Sequence, residues 1–148
     1  MPIPDFDPAT GNLPAGVHPA SWDELAASLG EGPERQRLLA GLLQAARSLK
    51  RAGCRMLYVD GSFASTKPIP GDFDACWDAT GVDASLLDPE LLDFTNRRAA
   101  QQAKYGGELF IASAAGAPAG TAFLDFLQRD KATGDPKGIV AIDLGGLP

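Results

Sequence analysis

The chain has 148 residues, of which 45% are hydrophobic and 22% are charged, and its formal net charge is −6. This length corresponds to about one domain, and the composition excludes disordered and fibrous chains. The acidic balance argues against a broad basic surface for nucleic-acid backbones, although a small basic patch is compatible with it. With two cysteines and one histidine, a zinc site built from these residue types is not expected.

The N-terminal segment predicts neither export nor membrane insertion. It lacks a basic region followed by an apolar stretch, and no apolar run approaches the roughly 20 residues of a membrane span. We therefore expect a cytoplasmic protein, with Cys54 and Cys76 as buried, reduced thiols rather than a disulfide. Residues 1–20 contain five prolines and two glycines, which predicts an extended arm packed on the body rather than a helix or a regular strand.

Two helices are predicted after this arm. Ser21 and Glu24 form a capping-box pattern at the start of a short helix that ends near Leu29. Pro33 suits the first turn of the second helix, in which leucine and alanine recur at helical spacing until the chain nears Gly53.

The remaining elements alternate between strands and helices. Apolar or alternating patterns predict strands at 56–59, 72–77, 109–111 and 138–143. Helical spacing predicts a helix from Asp88 to about Lys104, with a break near Thr95. Residues 121–128 are compatible with a short helix or a strand, and we favour the helix. This alternation favours an α/β (α+β) fold, as one domain over residues 1–148 with a small mixed central sheet flanked by helices.

The segment with the clearest chemical content is a Gly-Ser corner, a loop and an Asp-x-Asp pair. Gly61 and Ser62 follow a predicted strand, where backbone N–H groups and the hydroxyl suit a phosphate. Asp72 and Asp74 lie two residues apart on the next strand, so their Cβ atoms are roughly 6.5–7 Å apart on one face. Carboxylate oxygens are the ligands that Mg²⁺ prefers. We interpret Asp60, which precedes the corner, as a turn-forming carboxylate.

This arrangement of strand, Gly-Ser, loop 63–71 and Asp-apolar-Asp resembles the signature of the polymerase-β-type nucleotidyltransferase superfamily. Over nearly the whole chain, the sequence also resembles an uncharacterised bacterial family of small, stand-alone nucleotidyltransferase-like proteins. The segments that carry this second resemblance are 3–7, 11–14, 58–63, 71–74, 104–110 and 136–140. The resemblance implies a minimal nucleotidyltransferase-like fold.

The resemblance also implies contacts with a nucleoside triphosphate. Gly61 and Ser62 would contact its phosphates, and Lys67 would replace the arginine that many superfamily members place after the corner. Arg97, Arg98 and Lys104 lie on one predicted helix and are interpreted as solvated surface, with a triphosphate clamp as the functional alternative.

The resemblance also implies a metal centre. Asp72 and Asp74 would hold Mg²⁺ or Mn²⁺. A third carboxylate on a later strand would bind metal and help to activate the acceptor hydroxyl. Glu108 is the candidate for this role, and Asp125 and Asp143 are the alternatives.

Three functions are compatible with these residues. The first is metal-dependent transfer of a nucleoside monophosphate from a nucleoside triphosphate to a hydroxyl acceptor. The second is a catalytically inactive nucleotidyltransferase-fold module that binds a nucleotide or a partner protein, as one half of a toxin–antitoxin or phage-defence pair. For the enzyme, a protein partner or a homodimer is the candidate for completing the site. The third is a haloacid-dehalogenase-like phosphatase with Asp72 as nucleophile, which is disfavoured because Ala75 and Cys76, rather than Thr or Ser, follow the pair.

Overall fold

The computed structural model describes residues 13–29, 32–60, 73–113, 124, 127–128 and 136–147, with the backbone alone at Leu29 and Asp60. Within these residues the chain forms a five-stranded mixed sheet and three α-helices. The strands are β1 (Gly16–Ala20), β2 (Met56–Asp60), β3 (Phe73–Trp77), β4 (Gly107–Ile111) and β5 (Gly138–Asp143). The helices are α1 (Trp22–Leu29), α2 (Pro33–Arg51) and α3 (Thr95–Tyr105). The predicted α/β (α+β) class is confirmed.

The strand order is β1-β5-β2-β3-β4, which makes β1 and β4 the edges of the sheet. β2 pairs antiparallel with both of its neighbours, β5 and β3, whereas the two outer pairs, β1 with β5 and β3 with β4, are parallel. The end of β2 therefore lies at the same end of the sheet as the starts of β3 and β4. Of the predicted site residues that the structure describes, Asp74 and Glu108 lie at this end.

The two faces of the sheet have different surroundings. On one face, Phe73, Ala75 and Trp77 belong to the main apolar core together with leucines of α1 and α2, and we call it the helix-covered face. On the other face, Cys76 belongs to a smaller apolar cluster that also includes Leu127. The alternation of β3 puts Asp74 on this second face, which we call the acidic face.

The helix α2 supplies much of the main core. Its buried leucines Leu38, Leu42 and Leu49 recur at helical spacing and have no exposed surface. Each such burial stabilises the fold by roughly 1.5–3 kcal/mol. The helix begins at Pro33, as predicted, and ends at Arg51, two residues before Gly53.

The predicted capping box of α1 is confirmed. The backbone N–H of Ser21 donates to Oε1 of Glu24 at 3.2 Å, and the N–H of Glu24 donates to Oγ of Ser21 at 3.1 Å. These two bonds satisfy donors that a helix N-terminus otherwise leaves unpaired.

The N-terminal arm differs from the prediction. Residues 16–20 form the edge strand β1, which pairs parallel with β5 from Gly16 opposite Gly138 onwards. The prediction of an arm without a regular strand is therefore wrong for these residues. The prediction treated Pro19 as evidence against a strand, because proline lacks a backbone N–H donor. Proline is nevertheless tolerated on an edge strand, where one side has no partner strand to bond. Leu13, just before β1, is buried in the main core, which agrees with the prediction that the arm packs on the body.

The long helix predicted from Asp88 is divided in two. A 3₁₀ turn spans Pro89–Leu92, and α3 follows from Thr95. Asp93 separates them, because its Oδ1 accepts hydrogen bonds from the backbone N–H and the hydroxyl of Thr95. The predicted break near Thr95 is thereby confirmed. Five of the eight residues of the helix predicted at 121–128 lie outside the described residues.

Candidate functional site

Three acidic residues occupy the same level on three adjacent strands. Asp60 at the end of β2 is paired with Asp74 of β3, and Asp74 is paired with Glu108 of β4. Neighbouring strands lie about 4.8 Å apart, so residues at the same level are close neighbours. We call these three positions the acidic row. The backbone of Asp60 is the last residue of β2, one residue beyond the predicted strand 56–59. The interpretation of its carboxylate as turn-forming stays a prediction.

The two described carboxylates of this row share the acidic face of the sheet. Asp74 and Glu108 are half-buried, whereas Ala75 and Leu109, which follow them in their strands, are fully buried in the main core. By alternation, Phe110 lies on the same face as Glu108. An apolar ring beside the acids lowers the local polarity, which strengthens their attraction for a cation.

Arg98 already brings a positive charge to this row. Its guanidinium donates to Oε1 of Glu108 at 3.2 Å, with 31% of the Arg98 side chain and 19% of the Glu108 side chain exposed. The same guanidinium lies 5.3 Å from the centre of the Phe110 ring. Its Nε is buried and has no hydrogen-bond partner among the described residues. A cation is therefore accommodated directly beside Glu108.

The position of Arg98 depends on an uncommon backbone turn. Asn96, Arg97 and Arg98 have positive φ angles of 49°, 55° and 61°, in the left-handed region. Such conformations cost roughly 1–2 kcal/mol per non-glycine residue and persist only where the surroundings hold them. Without this turn, α3 would continue its right-handed course towards its N-terminus and Arg98 would point in another direction.

Gln101 fixes α3 along the open edge of the sheet. Its side chain is fully buried, and its Oε1 accepts a hydrogen bond from the backbone N–H of Leu109 at 2.8 Å. Leu109 belongs to the edge strand β4, so this bond satisfies a donor that has no neighbouring strand. The tie holds the start of α3, and hence Arg98, in place relative to Glu108.

A pair of aromatic rings extends the site beyond Arg98. The rings of Phe94 and Phe110 are stacked at an interplanar angle of 9°, with their centroids 6.5 Å apart. Phe94 remains 38% exposed, so part of its ring is accessible to a ligand. Sequence reasoning missed Phe94, Phe110 and the ion pair of Arg98, because no local pattern signals contacts that the turn at 96–98 creates.

The donor chemistry of Asp74 and Glu108 fits a hard divalent cation. Both offer carboxylate oxygens at one level of the sheet, and Mg²⁺ is held by one or two carboxylates together with water and phosphates. In the structure, the guanidinium of Arg98 is the cation beside Glu108. Across the part of the chain that the structure describes, no group of three or more His, Cys, Asp or Glu side chains is assembled.

The other predicted site residues fall into two sets. The corner residues Gly61 and Ser62, together with Lys67, Asp72 and Asp125, lie outside the described residues. Their assigned roles stay predictions. In the chain, the corner follows β2 directly and Asp72 immediately precedes β3.

Asp143, an alternative for the third carboxylate, lies away from the acidic row. It ends β5 opposite Met56, at the end of β2 that is farthest from Asp60. Four strand residues correspond to roughly 13 Å. The Oδ1 of Asp143 instead accepts a hydrogen bond from the backbone N–H of Gly145 at 2.9 Å, at the start of a 3₁₀ turn. Of the two described candidates, only Glu108 neighbours Asp74.

Comparison with known proteins assigns the chain to a family without assigning it an activity. The model of a protein family of unknown function, DUF6932, matches residues 4–143, and the chain belongs to this family. No curated protein matches the chain, and no solved structure does. Among the described residues, no helix has the length and apolar character that crossing a membrane requires.

Proposed function

We propose that this protein is a cytoplasmic nucleotidyltransferase that uses Mg²⁺ or Mn²⁺ to transfer a nucleoside monophosphate from a nucleoside triphosphate to a hydroxyl acceptor. One observation carries the proposal. Asp74 and Glu108 are paired neighbours on β3 and β4, at the end of the sheet where β2 leads into the Gly61-Ser62 corner. Two acids and a phosphate-binding corner are the parts that this reaction requires.

Each predicted residue has a defined task in this proposal. Asp72, Asp74 and Glu108 hold the metal, which neutralises phosphate charge when it is bound. Gly61 and Ser62 offer N–H and O–H donors to the phosphates. Phosphoryl chemistry of this kind depends mainly on positioning and charge stabilisation, so a small set of fixed polar groups is sufficient.

The groups around Glu108 extend this assignment to the nucleotide. A metal beside Glu108 would replace Arg98 as the partner of that carboxylate, and the guanidinium would then be available to a phosphate, for which its forked donors are suited. Lys67 is proposed to add a second positive charge. The exposed ring of Phe94 offers a stacking surface for a base.

One observation favours the alternative of a catalytically inactive module. Arg98 already neutralises Glu108, and an arginine that remained there would compete with a metal for the carboxylate. In that case the acidic face would bind a nucleotide or a protein partner without turnover, as one half of a toxin–antitoxin or phage-defence pair or as a homodimer.

The proposal is tested by pyrophosphate release with a panel of nucleoside triphosphates and hydroxyl acceptors, and by calorimetric titration of the same triphosphates with Mg²⁺. Asp74→Asn keeps the shape of the side chain and removes its charge. We expect it to reduce turnover by at least about 10³-fold, with little change in the melting temperature. Asp143→Asn is the matched control, because it makes the same change at the far end of the sheet.

Each outcome separates the two functions. Equal turnover of Asp74→Asn and wild type would eliminate the proposed metal centre. Saturable triphosphate binding without turnover in the wild type would favour the inactive module, and the lack of any binding would point to a protein partner.

A further inference from the structure

A cavity lies on the helical side of the sheet, away from the acidic row. Its volume is about 600 Å³. One wall is a stripe of α2 that runs from Ala40 to Arg51 at helical spacing, and the opposite wall is formed by Asp88 and Lys104. Since α2 packs on the helix-covered face, this cavity and the acidic face are on opposite sides of the sheet.

The lining of the cavity is cationic although the protein is acidic. Arg47, Arg51 and Lys104 line it together with one carboxylate, Asp88, in a chain whose net charge is −6. Arg47 and Arg51 are four residues apart on α2, where like charges repel each other. Arg47 is exposed, and it has no ion pair among the described residues. An anion between the two arginines would relieve this repulsion.

Contacts with carboxylates hold the other two cations in place before any ligand binds, and Lys104 donates to Oε1 of Glu90 at 3.1 Å. Asp88 contacts both cations. Its Oδ1 lies 3.3 Å from Arg51, and its Oδ2 lies 3.4 Å from Lys104 and accepts a hydrogen bond from Tyr105 at 2.8 Å. The backbone N–H of Asp88 donates to Oγ of Ser48 at 2.9 Å, so the hydroxyl remains a donor on the cavity wall. Groups that are already ordered lose less entropy when a ligand binds.

The two ends of the cavity differ in polarity. Arg47 and Arg51 mark the cationic end of the α2 stripe, whereas Ala40 and Leu43 mark an apolar end. Residues 43 and 51 are separated by roughly 12 Å along the helix axis. A ligand that satisfies both ends has a compact negative head and an apolar body of a few carbon atoms.

We propose that this cavity binds a small organic anion, a phosphate or carboxylate that carries an apolar body, with its head between Arg47 and Arg51 and its body against Leu43. The paired guanidinium groups suit the planar or tetrahedral oxygens of such a head. This site is independent of the acidic row, so it stands whether or not the protein transfers nucleotides.

The test is a titration of the full ¹⁵N-labelled chain, followed by NMR, with phenyl phosphate, benzoate and inorganic phosphate as separate probes. We expect saturable shifts along 43–51 and at Lys104, with phenyl phosphate or benzoate binding at least about fivefold more tightly than inorganic phosphate, because only these probes bury an apolar ring. The comparison of the first two probes identifies the preferred head group.

Two variants make the test specific. Arg47→Gln removes a cation without removing a described contact, and we expect it to weaken binding by about tenfold. Lys50→Gln makes the same charge change in the same turn of α2, outside the cavity, and should alter affinity by less than about twofold. Non-saturable shifts, equal losses in the two variants, or inorganic phosphate binding as tightly as both organic probes would overturn the proposal.

Discussion

The half-buried carboxylates of Asp88 and Glu108 are held in different ways. The Asp88 carboxylate accepts a hydrogen bond from Tyr105 and forms ion pairs with Lys104 and Arg51. These three residues belong to two different helices, α3 and α2. Glu108 pairs with Arg98 alone among the described residues. Both acids carry a cationic neighbour, so the presence of an ion pair does not distinguish them. The two acids differ in the number of groups that bind them and in the elements from which those groups come.

The surroundings of Asp88 indicate a structural role, in which its carboxylate connects α2 to α3. Burial by itself would raise the pKa of Asp88, but the hydrogen bond from Tyr105 and the charges of Lys104 and Arg51 outweigh it and lower the pKa. Burial, reinforced by the Asp88 carboxylate, raises the pKa of Tyr105, which keeps that phenol a donor. A carboxylate saturated in this way joins α2 to α3, whereas Glu108 retains oxygen lone pairs for another cation.

The largest effect is expected where α2 and α3 are closest. A Cβ atom at Gly41 would lie 1.7 Å from the backbone oxygen of Tyr105. Gly41→Ala should therefore destabilise the protein by about 3 kcal/mol or more, although alanine is favoured over glycine in an isolated helix. Urea unfolding measures the change. Gly146→Ala, which has no atom within 4 Å of its added carbon, is the control, and a stabilised Gly41→Ala would disprove the close approach.

The comparison of the two acids is tested directly by removing each. Asp88→Ala leaves the buried hydroxyl of Tyr105 without its acceptor and should cost about 2–3 kcal/mol of unfolding free energy. Glu108→Ala removes one partly exposed ion pair and should cost about 1 kcal/mol or less. Urea midpoints of both variants provide the measurement. If the two losses were equal, the distinction between a structural and a functional carboxylate would fail.

The acid sensitivity of the fold should depend on Asp88. Its folded-state pKa is below the ordinary value of 3.8, so its contribution to stability is complete above that value and is lost as the pH falls through the folded-state pKa. We expect wild-type unfolding free energy to decline more steeply below pH 4 than that of Asp88→Ala. Parallel pH profiles for the two proteins would contradict this role.

The smallest effect concerns the left-handed turn that positions Arg98. Arg97 is exposed with φ 55°, and glycine adopts this conformation without steric cost. Arg97→Gly should therefore stabilise the protein by about 0.5–1 kcal/mol. Ala99→Gly, in the right-handed part of α3, should destabilise it by about 1 kcal/mol. Destabilisation of similar size in both variants would show that the turn does not form in solution.

The local elements of this fold were determined by the sequence alone. The capping box at Ser21, the proline at the start of α2 and the apolar run 138–143 act over one or two turns or strands, so their physical causes lie within the same segment. For the same reason, the interruption before α3 was predictable near Thr95. The edge strand β1 was missed, because only its pairing with β5 makes a proline-rich segment a strand.

The neighbours of each acid were decided by the tertiary structure. Sequence resemblance named Asp74 and Glu108 together with Asp143, but strand register places Glu108 beside Asp74 and Asp143 at the opposite end. Register is set by pairing between segments that are far apart in the chain, and no local pattern encodes it. Likewise, the contact between Arg98 and Glu108 requires α3 to lie along the edge of β4. The sequence specifies which residues are acidic or basic, whereas the sheet must assemble before Asp74, Glu108 and Arg98 become neighbours.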